Sequence, residues 1–171
     1  MSKKYKKALA AVLAAVSLCA CASEEEEASS GSVAELTGVP NPFVDYNSLE
    51  ETIQAAGFDL TVPEPMEGYD QIVYQVMSDE MIQVIYYNKD QIEAYRIRKQ
   101  AGDDDISGDY STYSTNKEVE INGNTVTLSG KDDKYYKVIW TADGYSYAVD
   151  IDMNGEGLDE ETVIALVEGI K

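Results

Sequence analysis

Lys117-Glu118-Val119-Glu120-Ile121-Asn122-Gly123-Asn124-Thr125-Val126-Thr127-Leu128 is the stretch on which the fold turns. Asn-Gly accepts positive φ at both central positions of a two-residue turn, and that turn matches the natural twist of paired strands. Residues 117–121 and 124–128 are therefore expected to be the arms of an antiparallel hairpin. A second hairpin follows, with Lys134–Thr141 and Tyr145–Met153 flanking Ala142-Asp143-Gly144. Alternation assigns Tyr136, Val138 and Trp140 to the inward face of one arm, and Tyr145, Tyr147, Val149 and Ile151 to that of the other.

Upstream, Gln71–Met77, Met81–Tyr87 and Gln91–Lys99 read as a three-strand meander rich in Val, Ile and Tyr. The first two are apolar on both faces, as strands in the middle of a covered sheet are. Phe58, Leu60 and Val62 alternate with polar residues up to Pro63 and read as a short edge strand. Between meander and hairpins, Gln100–Asn116 breaks the pattern and reads as a loop with one short helical turn. Ser48-Leu49-Glu50-Glu51 has the form of a capping box opening a helix that Gly57 ends. Asp159 is placed to cap a last helix, with Leu158 stapled onto Val163 and a stripe of Val163, Leu166, Val167 and Ile170. The expected fold is α+β: a curved, mainly antiparallel sheet of about seven or eight strands with an N-terminal and a C-terminal helix.

The first 40 residues carry the address. Lys3, Lys4, Lys6 and Lys7 precede an apolar run from Ala8 to Leu18, too short to span a bilayer and typical of an export signal. Leu18, Ala20 and Cys21 resemble the lipobox of bacterial lipoproteins. That resemblance implies a signal peptide over residues 1–20 and a diacylglyceryl group on Cys21, with further acylation such as palmitate. Two or more chains anchor stably where one does not. Residues 21–39 then form an acidic tether, whose consecutive Glu24–Glu27 stay solvated. The folded domain is expected over 40–171, held on the extracytoplasmic face of the cell membrane.

Processing would remove Cys19 and consume Cys21, and the chain contains no histidine. The domain is thus left without disulfide, thiolate or imidazole chemistry. Four of the 13 basic residues lie in the signal, leaving 9 against 32 acids and a net charge of −23. Nucleic acid is a poor partner for such a surface, and a monomer is expected.

Three sets of residues are candidates for chemistry. Asp150, Asp152, Asn154 and Glu161, with Gly155 at the turn position, fit the spacing of a calcium loop. A strand before the loop and Gly157 at an apolar position depart from that pattern, and a strand end followed by an Asp-capped helix explains the same residues. Arg96 and Arg98 share a strand face and are candidates for an anion, or for neutralising nearby acids. Asp103-Asp104-Asp105 reads as a solvated acidic loop. No nucleophile-elbow or phosphate-loop pattern is present, so the chain reads as a non-enzyme.

Asn41-Pro42-Phe43-Val44, Ser48-Leu49-Glu50-Glu51, Ala55-Ala56-Gly57-Phe58 and Val62-Pro63 together resemble the entry to an uncharacterised domain family. The family occurs in lipoproteins and membrane-anchored regulatory proteins of Gram-positive bacteria. Met81–Tyr86, Ile97-Arg98-Lys99 and Asp105–Tyr110 are similar to it as well. The resemblance implies a sheet-plus-helices fold like the half-barrels of lipoprotein carriers, and it implies no reaction and no site residues. The expected function is a lipid-anchored module that binds a peptide, a lipid-like ligand or a protein partner. The alternatives are a calcium-dependent structural domain of the cell envelope and, weakest, a carboxylate-based hydrolase.

Overall fold

Asn122 and Gly123 take φ of 52° and 78°, and the hairpin they close is the far edge of one eight-stranded antiparallel sheet. The computed structural model describes residues 41–78 and 80–171. The export signal, Cys21 and the tether lie outside the described residues. Asn41–Lys171 form one compact unit.

The strands are β1 (Phe43–Tyr46), β2 (Gln71–Met77), β3 (Met81–Tyr87), β4 (Glu93–Ala101), β5 (Thr115–Ile121), β6 (Asn124–Lys131), β7 (Lys134–Ala142) and β8 (Tyr145–Ile151). Their order is β1-β2-β3-β4-β8-β7-β6-β5. Two four-strand meanders thus join through β4 and β8, with Arg96 opposite Asp150 and Arg98 opposite Ala148.

One sheet face carries the main core. Val84, Ile97, Leu128, Val138 and Val149 are all fully buried there, and helix α1 (Leu49–Ala56) and helix α2 (Glu160–Glu168) close over it. Ser48 caps α1 by accepting from the Glu51 N–H, and Glu51 reaches back to the Asn47 N–H at 3.0 Å. Asp159 caps α2 by accepting from the Thr162 N–H at 2.9 Å. Val163, Leu166, Val167 and Ile170 are buried, as their spacing requires.

Three local expectations are corrected. Residues 58–62 are not a strand of the sheet. Thr61 instead exchanges both backbone hydrogen bonds with Lys171, while Leu60 sinks into the core. The edge position belongs to β1, whose four residues between Pro42 and the α1 cap are too few to show a pattern.

Residues 102–114 contain no helical turn. Asp105 accepts from the Ser107 N–H, the Ser107 hydroxyl accepts from the Asp109 N–H, and Asp109 accepts from the Ser111 N–H. Such side-chain bonds offer the backbone an alternative to a helix. The result is a strap that leaves the sheet centre at β4 and crosses its second face to reach β5.

Tyr136 is not on the core face. The β6–β7 register slips between the pairs Ser129/Lys137 and Gly130/Tyr135, leaving Tyr136 without an opposite residue. An extra residue in one strand reverses the side chains beyond it. Tyr135 therefore enters the core, and Tyr136 turns toward the strap.

Candidate functional site: a polar cleft beneath the strap

The strap-side face has a small apolar patch of Met81, Ile106 and Ala148. Elsewhere it holds single polar residues set into otherwise apolar strands. Gln75 donates to Asp45 at 2.7 Å, Gln83 donates to Gln75 at 2.7 Å, and Arg98 Nε donates to Gln83 at 2.6 Å. This row crosses β1, β2, β3 and β4 in register. Arg98 ends the row and fastens the strap, with Nη1 donating to the carbonyls of Ile106, at 3.1 Å, and Ser107. Gly108 permits this approach, because a Cβ there would stand 2.9 Å from Arg98 Nη1. Further along, Lys137 Nζ donates to the Asp109 carbonyl at 3.1 Å. The rings of Tyr113 and Tyr136 stack at 5.9 Å and 9°.

A cleft of about 460 Å³ opens between strap and sheet, within the range of small-ligand sites. Glu93, Arg96, Gly108, Asp109, Tyr113, Tyr136, Asp150 and Asp152 line it. Asp150 is the anomaly. Its side chain is 16% exposed, both carboxylate oxygens are shielded from solvent, and neither has a hydrogen-bond partner. Arg98 Nη1 stands 3.6 Å away, close enough for charge attraction and too far for a hydrogen bond. Burial pushes the Asp150 carboxyl up to about 7, against the pull of Arg98 and Arg96 and with a push from Asp109 and Asp105.

Asp109 moves the other way. Burial acts against it, yet bonds from Ser111 and Tyr113 and the charge of Lys137 hold it below the usual carboxylate range. Burial, then the bond to Asp109, raises the Tyr113 phenol to about 12. Burial lowers Arg98, and Asp150 offsets part of that effect.

The cleft gathers several residues that the sequence singled out for other reasons. Asp150, Asp152 and Arg96 line it, and Arg98 lies against it. The calcium loop is not assembled. Asp150 faces Arg98, Asp152 accepts from the Gly155 N–H at 2.7 Å, and Glu161 stands exposed on the first turn of α2. Asn154 lies in the 3₁₀ turn Met153–Gly155. Among the described residues, no group of three or more acidic side chains is gathered for a metal ion. The anion site is not assembled either, since Arg96 Nε is bonded to Glu93 at 2.6 Å and Arg98 is turned to the strap carbonyls. Asp105 caps the strap and meets Lys137 at 3.4 Å instead of standing free in an acidic loop.

Sequence reasoning missed Glu93, Asp109, Tyr113 and Tyr136. One available signal was the isolated polar residue in an apolar strand, as in Tyr147-Ala148-Val149-Asp150-Ile151. A second groove, of about 470 Å³, lies at the end of the helix-covered face. There Lys99 Nζ donates to the Asp59 carbonyl at 2.6 Å and sits 4.6 Å from the Tyr145 ring centroid and 5.1 Å from that of Tyr147. That ammonium is satisfied internally, and Trp140 is already stacked on Tyr147. The cleft with unmet hydrogen-bonding capacity is the one beneath the strap.

No curated protein and no solved structure matches the chain. The sequence does match the family described as Domain of unknown function (DUF4367) over residues 61–170. That range takes in seven of the eight strands, the strap, every residue of the cleft and α2. Of the entry segment quoted above it takes in only Val62-Pro63. Because the match spans well over half of the sequence, this chain belongs to the DUF4367 family.

Proposed function

We propose that this protein is a lipid-anchored extracytoplasmic binding module, tethered to the cell membrane through Cys21, with the strap cleft as its ligand site. One observation carries the binding reading: Asp150 presents two buried oxygens without donors at the wall of a ligand-sized cleft. Buried polar groups are nearly always paired, and one that is not needs an explanation. An incoming donor supplies it. Binding is favoured over hydrolysis because the neighbouring carboxylates already have structural partners. Glu93 holds Arg96, Asp109 accepts from the Ser111 N–H and the Tyr113 hydroxyl, and Asp152 caps a turn. A second carboxylate free to serve as base or nucleophile is not offered.

The anchor rests on the lipobox resemblance and the polar tether after it. The full-length protein, expressed in a Gram-positive host, is expected in the membrane fraction with a lipid-modified N-terminal cysteine by mass spectrometry. Cys21→Ser should leave that fraction or retain its signal. An unchanged distribution and unchanged mass would overturn the anchor.

The site predicts slower backbone hydrogen exchange across 102–114 when the protein meets soluble cell-envelope extract. Exchange unaltered in the strap but slowed around Lys99 and Tyr145 would move the site to the other groove.

A further inference from the structure

The ligand class can be narrowed, on the reading that the strap cleft is the site. We propose that the cleft receives an organic cation, an alkylammonium or guanidinium group, whose N–H donors meet Asp150 beside the stacked rings of Tyr113 and Tyr136. Three observations converge on it.

The first is the direction of the unmet bonding. Both orphaned atoms are carboxylate oxygens, so they call for donors, and the nearest guanidinium stands beyond hydrogen-bond distance. The second is the charge of the walls. Carboxylates of Glu93, Asp109, Asp150 and Asp152 line the cleft against the guanidinium of Arg96, with that of Arg98 3.6 Å from Asp150. An anion would meet repulsion, and a cation would be concentrated by the field. The third is the aromatic pair. A cation within reach of a tyrosine face is attracted by the ring quadrupole. The slipped register of β7 turns Tyr136 toward the strap, where its ring stacks on Tyr113 and already attracts the Lys131 ammonium at 5.9 Å.

A metal ion fits less well. Calcium takes six to eight oxygen ligands, whereas one carboxylate here lacks hydrogen bonds and the others have partners. One carboxylate with two oxygens that lack hydrogen bonds matches one guanidinium fork or one ammonium group. Arg96 and Arg98 close by add repulsion that grows with the charge of the incoming ion.

The test is nuclear magnetic resonance titration of the full chain in detergent micelles at pH 8. The probes are Nα-acetyl-arginine amide, Nα-acetyl-lysine amide, the neutral Nα-acetyl-citrulline amide, and calcium chloride. The cationic amides are expected to shift the backbone signals of Gly108, Asp109 and Tyr113, and citrulline to bind at least about tenfold more weakly. The arginine and lysine arms show whether a fork or a point charge is preferred. Asp150→Asn should abolish the shifts while its spectrum stays folded. Tyr136→Leu, which leaves the carboxylate in place, should weaken binding severalfold.

Equal binding of citrulline and arginine amides at the cleft would overturn the cation and leave the cleft reading intact. Shifts produced by calcium alone would replace the organic cation with a metal. Shifts confined to the Lys99 groove, or none with any probe, would overturn both readings.

Discussion

Arg98→Met is expected to destabilise the protein by about 3–5 kcal/mol, the range for removing one partner of a buried charged network. The side chain is almost wholly buried and has four partners: Gln83, the carbonyls of Ile106 and Ser107, and the charge of Asp150. Methionine fills much of the volume and supplies no donor. Three acceptors then lose their bonds and one carboxylate loses its nearest countercharge. Each buried group left unsatisfied costs about 1–3 kcal/mol. Equilibrium urea unfolding measures the total, and hydrogen exchange should show residues 102–114 opening first, because two of the lost bonds hold the strap. Arg98→Lys should recover only part of the loss, since one ammonium cannot reproduce the fork that spans Gln83 and the strap. A loss below about 1 kcal/mol would show that the network is not what fastens the strap.

The same residue marks the boundary of what could be read from sequence. Hairpins, caps and strand alternation are local, and they appear at or near their expected positions because turn chemistry and side-chain period act over a few residues. Asn122-Gly123, Ser48 and Asp159 each decide a structure within four residues of themselves. The join between the two meanders is not local. Arg96 lies opposite Asp150 only because β4 and β8, more than 40 residues apart, choose one register. Before that choice Asp150 reads equally well as a loop ligand, and Arg98 as a surface cation.

The face that Tyr136 takes is hidden from the sequence for a related reason. Its alternation with Val138 and Trp140 is regular, and the slip that reverses it comes from pairing with β6. Lone polar residues in strong strands did carry information. Gln75, Gln83 and Asp150 each interrupt an apolar run, and they lie with Arg98 on the strap-side face. Their spacing shows that a second, polar layer exists. It cannot show which of them meet.

Asp150→Asn is expected to do the opposite of Arg98→Met, raising stability at pH 8 by up to about 4 kcal/mol. The sign follows from proton linkage. Asp150 titrates near 7 in the folded protein against 3.8 ordinarily. Between those values the native state binds more protons than the unfolded chain, so stability falls as pH rises. Three pH units at about 1.4 kcal/mol each set the size of the effect. The wild type should therefore gain stability on acidification from pH 8 toward 5, whereas the asparagine variant should show a flatter profile over that window.

Asp105, Asp109 and Asp159 have lowered folded values, so their contribution is present above 3.8 and lost as pH falls further. Both proteins should accordingly weaken in strong acid. The general repulsion of an acidic surface also relaxes on acidification, equally in both, and the difference between the two profiles isolates Asp150. Parallel profiles from pH 5 to 8 would refute the buried charge as the source. A variant that gains stability while losing the arginine-amide shifts would separate structure from function at one residue.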